Sequence, residues 1–301
     1  MLTILPSEIS TKELHSYLLG AVAPRPIAFA STIDKAGNPN LSPFSFFNIF
    51  SASPPILIFS PARSGRTGAT KNTHDNVKEV PEVVINVVNY AIVQQASLAS
   101  TEYPKGVNEF EKSGLTPIAS DLIKPFRVKE SPVQLECIVK EVIELSQAPG
   151  SGNLIICEVV KLHIDESILD AHKAIDPNKI NLVSRMGGNY YAKAFGDALF
   201  EVEKPLAQIG IGVDAMPNAI KSSSVLTGND LGVLGNVAAL PSEGEIASFE
   251  KAELNGILSE KDSKTITRLL HEKARTFIEN GDVSSAWKTL LSDPQIVTLK
   301  K

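Results

Sequence analysis

The chain has 301 residues, enough for two units of ordinary domain size or for one unit with a long extension. With 43% hydrophobic and 21% charged residues, it has the balance of a folded globular chain, which excludes global disorder. Its 29 Lys and Arg against 34 Asp and Glu leave a formal net charge of -5 with no basic block, which argues against nucleic acid as a partner.

No stretch reaches the roughly 18 apolar residues of a membrane-spanning helix. The start MLTILPSEIS has neither a basic opening nor a long apolar run, so no membrane association and a cytoplasmic location are expected.

In chain order, RPIAFASTI (25–33), PILIFSPA (55–62) and EVVINVVNY (82–90) are rich in Val, Ile and Phe and bounded by turn residues, which predicts strands. DKAGNPN (34–40) supplies a tight connection after the first. VQLECIVKEVIEL (133–145) and NLIICEVVKLHI (153–164), joined by QAPGSG, predict a long antiparallel hairpin. Strands linked by hairpins without crossover helices point to an antiparallel barrel. Cys137 and Cys157 fall within that hairpin and read as buried small hydrophobes, not as a disulfide framework.

The character changes near Pro205, so a domain is expected over 1–204 and an extension over 205–301. In the extension, Gly228, Gly232 and Gly235 with Asn229 and Asn236 predict irregular backbone, a linker or a lid. Helices follow. Asp262 is a suitable cap for a run in which Ile266, Leu269, Leu270, Ala274 and Phe277 share a face, and Asp282 caps a further helix containing Trp287.

Standard catalytic signatures are missing: there is no GxSxG, HExxH, P-loop or CxxC, and the five histidines never take ligand spacing, so no metal is expected. GIGVDA (210–215) fits a loose dinucleotide pattern but lacks the strand and helix that pattern requires.

Three features remain. In SPFSFFN and the residues before it, Asn40, Ser42, Ser45 and Asn48 alternate with Phe44, Phe46 and Phe47, a surface of amides, hydroxyls and flat rings suited to a planar heteroaromatic ligand. The same residues equally suit a barrel end with core phenylalanines and turn serines. FSPARSGRTGATKNTHDN (59–76) gathers Arg63, Arg66 and Lys71 among hydroxyls and glycines, either an anion pocket or a solvated basic loop. Arg25, held between Pro24 and Pro26, is a third candidate.

Taken in order, PRPIAFAST, NLSPFSFFN, PPILIFSP, KNTHDN, VVINVVNY, the second hairpin and NLVSRMGGNYYAKA closely resemble the flavin reductase-like family with the FMN-binding split barrel, over roughly residues 10–200. That family includes flavoredoxins and the flavin reductase components of two-component monooxygenases. The resemblance implies a mainly β fold with helices: an antiparallel six-stranded Greek-key split barrel with flanking helices, here with a helical C-terminal extension.

It also implies a homodimer that holds FMN near the subunit interface. Position by position, Asn40, Ser42, Ser45, Phe46 and Asn48 would line the flavin ring and ribityl chain, and Ser60, Lys71, Thr73 and Asn76 would take the phosphate. Arg25, Arg185 and either Tyr190 or Tyr191 would border the flavin.

The implied activity is that of an NAD(P)H-dependent flavin reductase, with NADH or NADPH as donor and free flavin, a monooxygenase or another electron-acceptor protein as acceptor. A flavoredoxin-like FMN carrier and a non-catalytic flavin-binding or regulatory module are the alternatives. Two departures stand out: Lys71-Asn72-Thr73 where many relatives have Lys-Asp-Thr, and Gln134 where many have His. The second removes an imidazole that could border the flavin.

Overall fold

The computed structural model describes residues 1–205 and 209–297. The chain forms two units, Met1–Phe200 and Glu201–Lys301.

The first unit opens with α1 (Thr11–Ala21), started by a reciprocal capping box between Ser10 and Glu13. Seven strands then build one antiparallel sheet: β1 (Ala28–Ile33), β2 (Pro39–Phe44), β3 (Phe47–Ala52), β4 (Pro55–Phe59), β5 (Glu82–Val87), β8 (Val133–Glu144) and β9 (Asn153–Ile164). Between them lie α2 (Asn72–Glu79), α3 (Val93–Leu98), α4 (Glu109–Ser113) and the short pair β6 (Pro117–Ile118) and β7 (Arg127–Val128). After α5 (Pro177–Ile180), a ribbon of β10 (Val183–Arg185) and β11 (Tyr191–Lys193) ends the unit.

The sheet order is β2-β1-β5-β8-β9-β4-β3, so β2 and β3 lie at opposite edges although only Ser45 and Phe46 separate them in the chain. The sheet must therefore roll until its two edges come together at Ser45 and Phe46, where the Ser60 N–H donates to the Phe46 carbonyl at 2.8 Å and extends the β3–β4 ladder up to that link. The result is the antiparallel split barrel. Counted as one strand broken at Ser45–Phe46, β2 and β3 give the six strands expected. Register shifts at Glu136/Cys137 and Val139/Glu141 between β8 and β9 supply the bend and extra twist that rolling needs.

One cluster, including Phe59, Ile85, Cys137, Ile155 and Cys157, packs on one face of the sheet, and a second, including Phe29, Leu41, Ala96 and Phe110, packs under α3 and α4. The two cysteines are free and buried. The side-chain hydrogen bond with Cys157, reinforced by burial, pushes the Cys137 thiol well above its ordinary value and keeps it unreactive.

The second unit is helical: α6 (Asn218–Lys221), α7 (Gly228–Gly235), α8 (Glu243–Phe249), a π-helical turn at Glu250–Leu254, α9 (Asn255–Leu258), α10 (Ser263–Glu279), α11 (Val283–Leu291) and α12 (Pro294–Val297). The caps expected at Asp262 and Asp282 accept from the N–H groups of Thr265 and Ser285. Residues 228–235, expected to be irregular, are helical. A capping box between Thr227 and Asp230 starts the turn, and buried Leu234 anchors it. A side chain at Gly235 would press on the Gly212 backbone at 3.3 Å, so its glycine serves close packing. Trp287 closes this core, its indole N–H donating to the Leu234 carbonyl at 3.0 Å. Among the described residues, no helix is long and apolar enough to cross a membrane.

Candidate functional site

A groove runs beside β2. At one end, a cavity of about 450 Å³ is lined by Asn40 and Ser42 of β2, by the loop carrying Ser64, Arg66, Thr67 and Thr70, by Lys71 to Thr73 at the start of α2, and by Ser100 to Tyr103. At the other end, a cavity of about 260 Å³ lies between Arg25, Ser42 to Phe46, Ser60, Arg185 and Met186, with Lys71 and Ser100 on its border. Ser42, Lys71 and Ser100 belong to both, so the two adjoin. A smaller cavity of about 180 Å³ continues it past Ser45 and Arg185 to Tyr191.

The first end is built to take an anion. Lys71 caps α2 with its backbone, and its ammonium lies at the groove. The adjoining Thr73 and Asn40 are buried and tied together, Asn40 Nδ2 donating to Thr73 Oγ1 at 2.9 Å and to Thr32 Oγ1 at 3.3 Å. Hydroxyls and two cations thus converge on one cavity. Glu102 faces them, ion-paired to Lys71 and, at 3.4 Å, to Arg66. The hydrogen bond from Lys71 holds its carboxyl below the ordinary range.

The second end combines aromatic rings, serine hydroxyls and positive charge. Phe46 stands edge-on to His15, with ring centroids 6.2 Å apart. Arg25 is buried, and its guanidinium donates to the carbonyls of Leu19 at 2.7 Å, Val22 at 2.5 Å and Met186 at 2.9 Å, with Ser45 Oγ at 3.4 Å. Arg25 and Arg185 also pair through their backbones at 3.0 and 2.8 Å. Arg185 stacks over the Tyr191 ring at 4.7 Å. Burial, followed by the charge of Arg185, lowers the Arg25 pKa. Neither arginine has a carboxylate partner among the described ion pairs, and both border the groove.

Of the residues singled out from the sequence, Arg25, Asn40, Ser42, Ser45, Phe46, Ser60, Lys71, Thr73, Arg185 and Tyr191 line this groove. Three others lie outside its lining. Asn48 is exposed on β3, where its Oδ1 accepts from the Ile49 N–H at 2.8 Å. Asn76 is buried in α2 and donates to Thr32 Oγ1 at 3.2 Å. Tyr190 points outward, 77% exposed.

Arg63 also turns away, toward Glu144 at 2.9 Å. Gln134 is spent on the Val128 and Ser131 carbonyls and on Arg127 and is not part of the groove lining. Glu102 and Glu109 were not legible as site residues, because isolated glutamates carry no motif. Asp121, Glu136 and His163 bring ligand atoms within 4.8 Å of one another, but Lys161 and Arg127 already neutralise those carboxylates.

Residues 20–181 match the family described as flavin reductase like domain. An uncharacterized protein of Aquifex aeolicus is 37% identical over 190 residues, 63% of this chain and 94% of that one. Nitrilotriacetate monooxygenase component B from Bacillus cereus superposes with a TM-score of 0.63 at 32% identity, over 67% of this chain and 98% of its own. A split barrel domain protein of Shewanella frigidimarina superposes with a TM-score of 0.57 at 25% identity, over 68% and 100%. These three are matched almost whole, so about a third of this chain extends beyond each.

The groove carries a pH signature through Glu109. Its carboxyl is buried beside the anion end and accepts from the Leu41 N–H at 3.1 Å; burial raises its pKa above the ordinary 4.5. The folded state therefore holds this proton more tightly than the unfolded chain does. The stability this contributes is complete below the unfolded pKa and is lost as pH rises through the folded one. Urea midpoints measured from pH 4 upward should fall faster for the native chain than for Glu109→Gln, which keeps an acceptor for Leu41; parallel curves would refute the assignment.

Proposed function

Because this chain belongs to the flavin reductase like domain family, we propose that it is an FMN-binding oxidoreductase that takes electrons from NADH or NADPH and reduces free flavin or another acceptor. The observation that carries this reading is the adjacency of two cavities that share Ser42, Lys71 and Ser100, one with a cluster of cations and hydroxyls, the other bordered by aromatic rings and two arginines. A flavin mononucleotide has that order of parts: a phosphate, a polyhydroxy chain and a planar ring system.

The residues fit such a group. Lys71, Arg66 and Thr73 would hold the phosphate by charge-assisted and hydroxyl hydrogen bonds. Asn40 and Ser42 lie along the chain between the ends, and Ser45, Phe46 and Tyr191 flank the ring. When bound, the flavin supplies the hydride-accepting and electron-transferring chemistry. The protein's part is electrostatic: Arg25 and Arg185 place two fixed positive charges where negative charge would accumulate, and a partly dry site strengthens them. No step of this scheme needs a protein general base. The component B relative supports a monooxygenase as one acceptor.

Anaerobic absorbance spectroscopy tests the activity. A protein loaded with FMN should be yellow and should bleach on addition of NADH or NADPH. A yellow protein that bleached only with dithionite would instead identify a flavoredoxin-like carrier, and failure to bind flavin would refute both. Seating of the phosphate is tested with Lys71→Ala, which should weaken FMN by roughly 10- to 100-fold, the order of one charge-assisted bond, and leave riboflavin nearly unchanged.

The family reading also carries a homodimer, for which Ile49 and Phe50, each 63% exposed on the edge strand β3, offer apolar surface. Light scattering should give about twice the 32.3 kDa chain mass; a concentration-independent monomer would count against it.

A further inference from the structure

We infer that Glu144, outside the groove lining, is the positioning residue that makes the anion end selective for a phosphate-bearing flavin; this rests on the proposed seating of phosphate at Lys71. The anion end is assembled from two separate pieces of chain, the loop 63–70 and the start of α2. Within the groove they are tied by Asn40 to Thr73 and by the exposed Glu102 to Lys71 and Arg66. Behind the groove both are also gripped by one carboxylate at the end of β8.

Glu144 Oε2 accepts from Arg63 Nη2 at 2.9 Å and from Gln147 Nε2 at 2.6 Å. Its Oε1 accepts from Lys78 Nζ at 2.9 Å and lies 3.3 Å from Nε2 of the buried His74. Hydrogen bonds from Lys78 and then Gln147 hold the carboxyl down at about 2, so it stays ionised at every working pH.

Each contact leads to one half of the anion end. Arg63 donates through its other terminal nitrogen, Nη1, to the Gly68 carbonyl at 3.1 Å. Gly68 has φ +71°, which favours glycine, and it closes a tight loop in which Ser64 N–H reaches the Ala69 carbonyl at 2.8 Å and Gly68 N–H reaches the Ser64 carbonyl at 2.9 Å. That loop presents Arg66 and Thr67 to the cavity. His74 and Lys78 sit on α2, whose N-cap is Lys71 and whose first turn holds Thr73.

The carboxylate therefore sets the distance between the two sets of phosphate donors. Without its charge, Arg63 loses the counterion that orients its grip on Gly68, and the loop is no longer registered against α2. Donors aimed at a phosphate suffer from such a shift, whereas contacts to the flavin ring, made around Ser45 and Arg185, do not. A general loss of stability would instead weaken every flavin alike.

The experiment titrates FMN and riboflavin into the full chain, native and as Glu144→Gln, with thermal melts as the check on folding. FMN should weaken about tenfold or more, the order of one charge-assisted contact, with riboflavin held within about twofold. Arg63→Lys, which keeps the charge but cannot bridge Gly68 and Glu144, should shift the FMN to riboflavin ratio in the same direction, and it carries the test should Glu144→Gln not fold. Equal losses for both flavins, or unchanged FMN binding in a folded variant, would overturn the inference. Lys71→Ala separates this from the underlying reading. If it lowers the ratio while Glu144→Gln and Arg63→Lys do not, only the role of Glu144 fails; if Lys71→Ala leaves the ratio unchanged, the phosphate seating fails and this inference with it.

Discussion

Everything about the site follows from two strands that are joined but not paired. β2 and β3 are separated by Ser45 and Phe46 alone, yet they occupy opposite edges of the sheet. The two edges are joined by the covalent link through Ser45 and Phe46 and not by strand pairing, which leaves the outer edge of β2 without a strand beside it. An open edge is normally a hazard, because its free backbone groups invite pairing with another chain. Here Pro39 and Pro43 have no N–H to offer, and the N–H of Leu41 is taken by Glu109. What remains beside β2 is a long, shallow depression with hydroxyls at Ser42 and Ser45, in which a planar ligand can lie without competing with a strand.

The elements that local chemistry dictates were legible in the sequence. β1, β4, β5 and the long hairpin follow from β-branched runs ended by turn residues, and the caps at Asp262 and Asp282 follow from side chains that satisfy their own helix. Residues 228–235 were not, because glycines that would weaken an isolated helix are offset by a capping box and by a buried Leu234. The same division runs through the site. The residue types of the groove could be read from their order in the chain, but the direction of each side chain could not. Arg63 and Arg66 are three residues apart in one basic loop, and only Arg66 lines the cavity, because Glu144 arrives from β8 to take Arg63. Asn40 and Asn76 both donate to Thr32, yet only Asn40 lines the groove. Such choices depend on partners far away in sequence, which no local pattern encodes.

The two ends of the groove hold their positive charge in different ways, and the difference bears on what each can do. At the anion end, Lys71 and Arg66 are already shared with Glu102, so an incoming anion gains only the surplus of its own interaction over that carboxylate's. At the ring end, Arg25 is held by the neutral carbonyls of Leu19, Val22 and Met186, which fix its position without cancelling its charge, and Arg185 stands beside it over Tyr191. Burial first, and then the nearness of a second positive charge, makes Arg25 costly to keep charged in the resting fold and lowers its pKa. On the proposed reading, negative charge appearing next to the two arginines would offset part of that cost, so the ring end would favour a reduced ligand over an oxidised one in a way that the anion end, with Glu102 beside its cations, would not share.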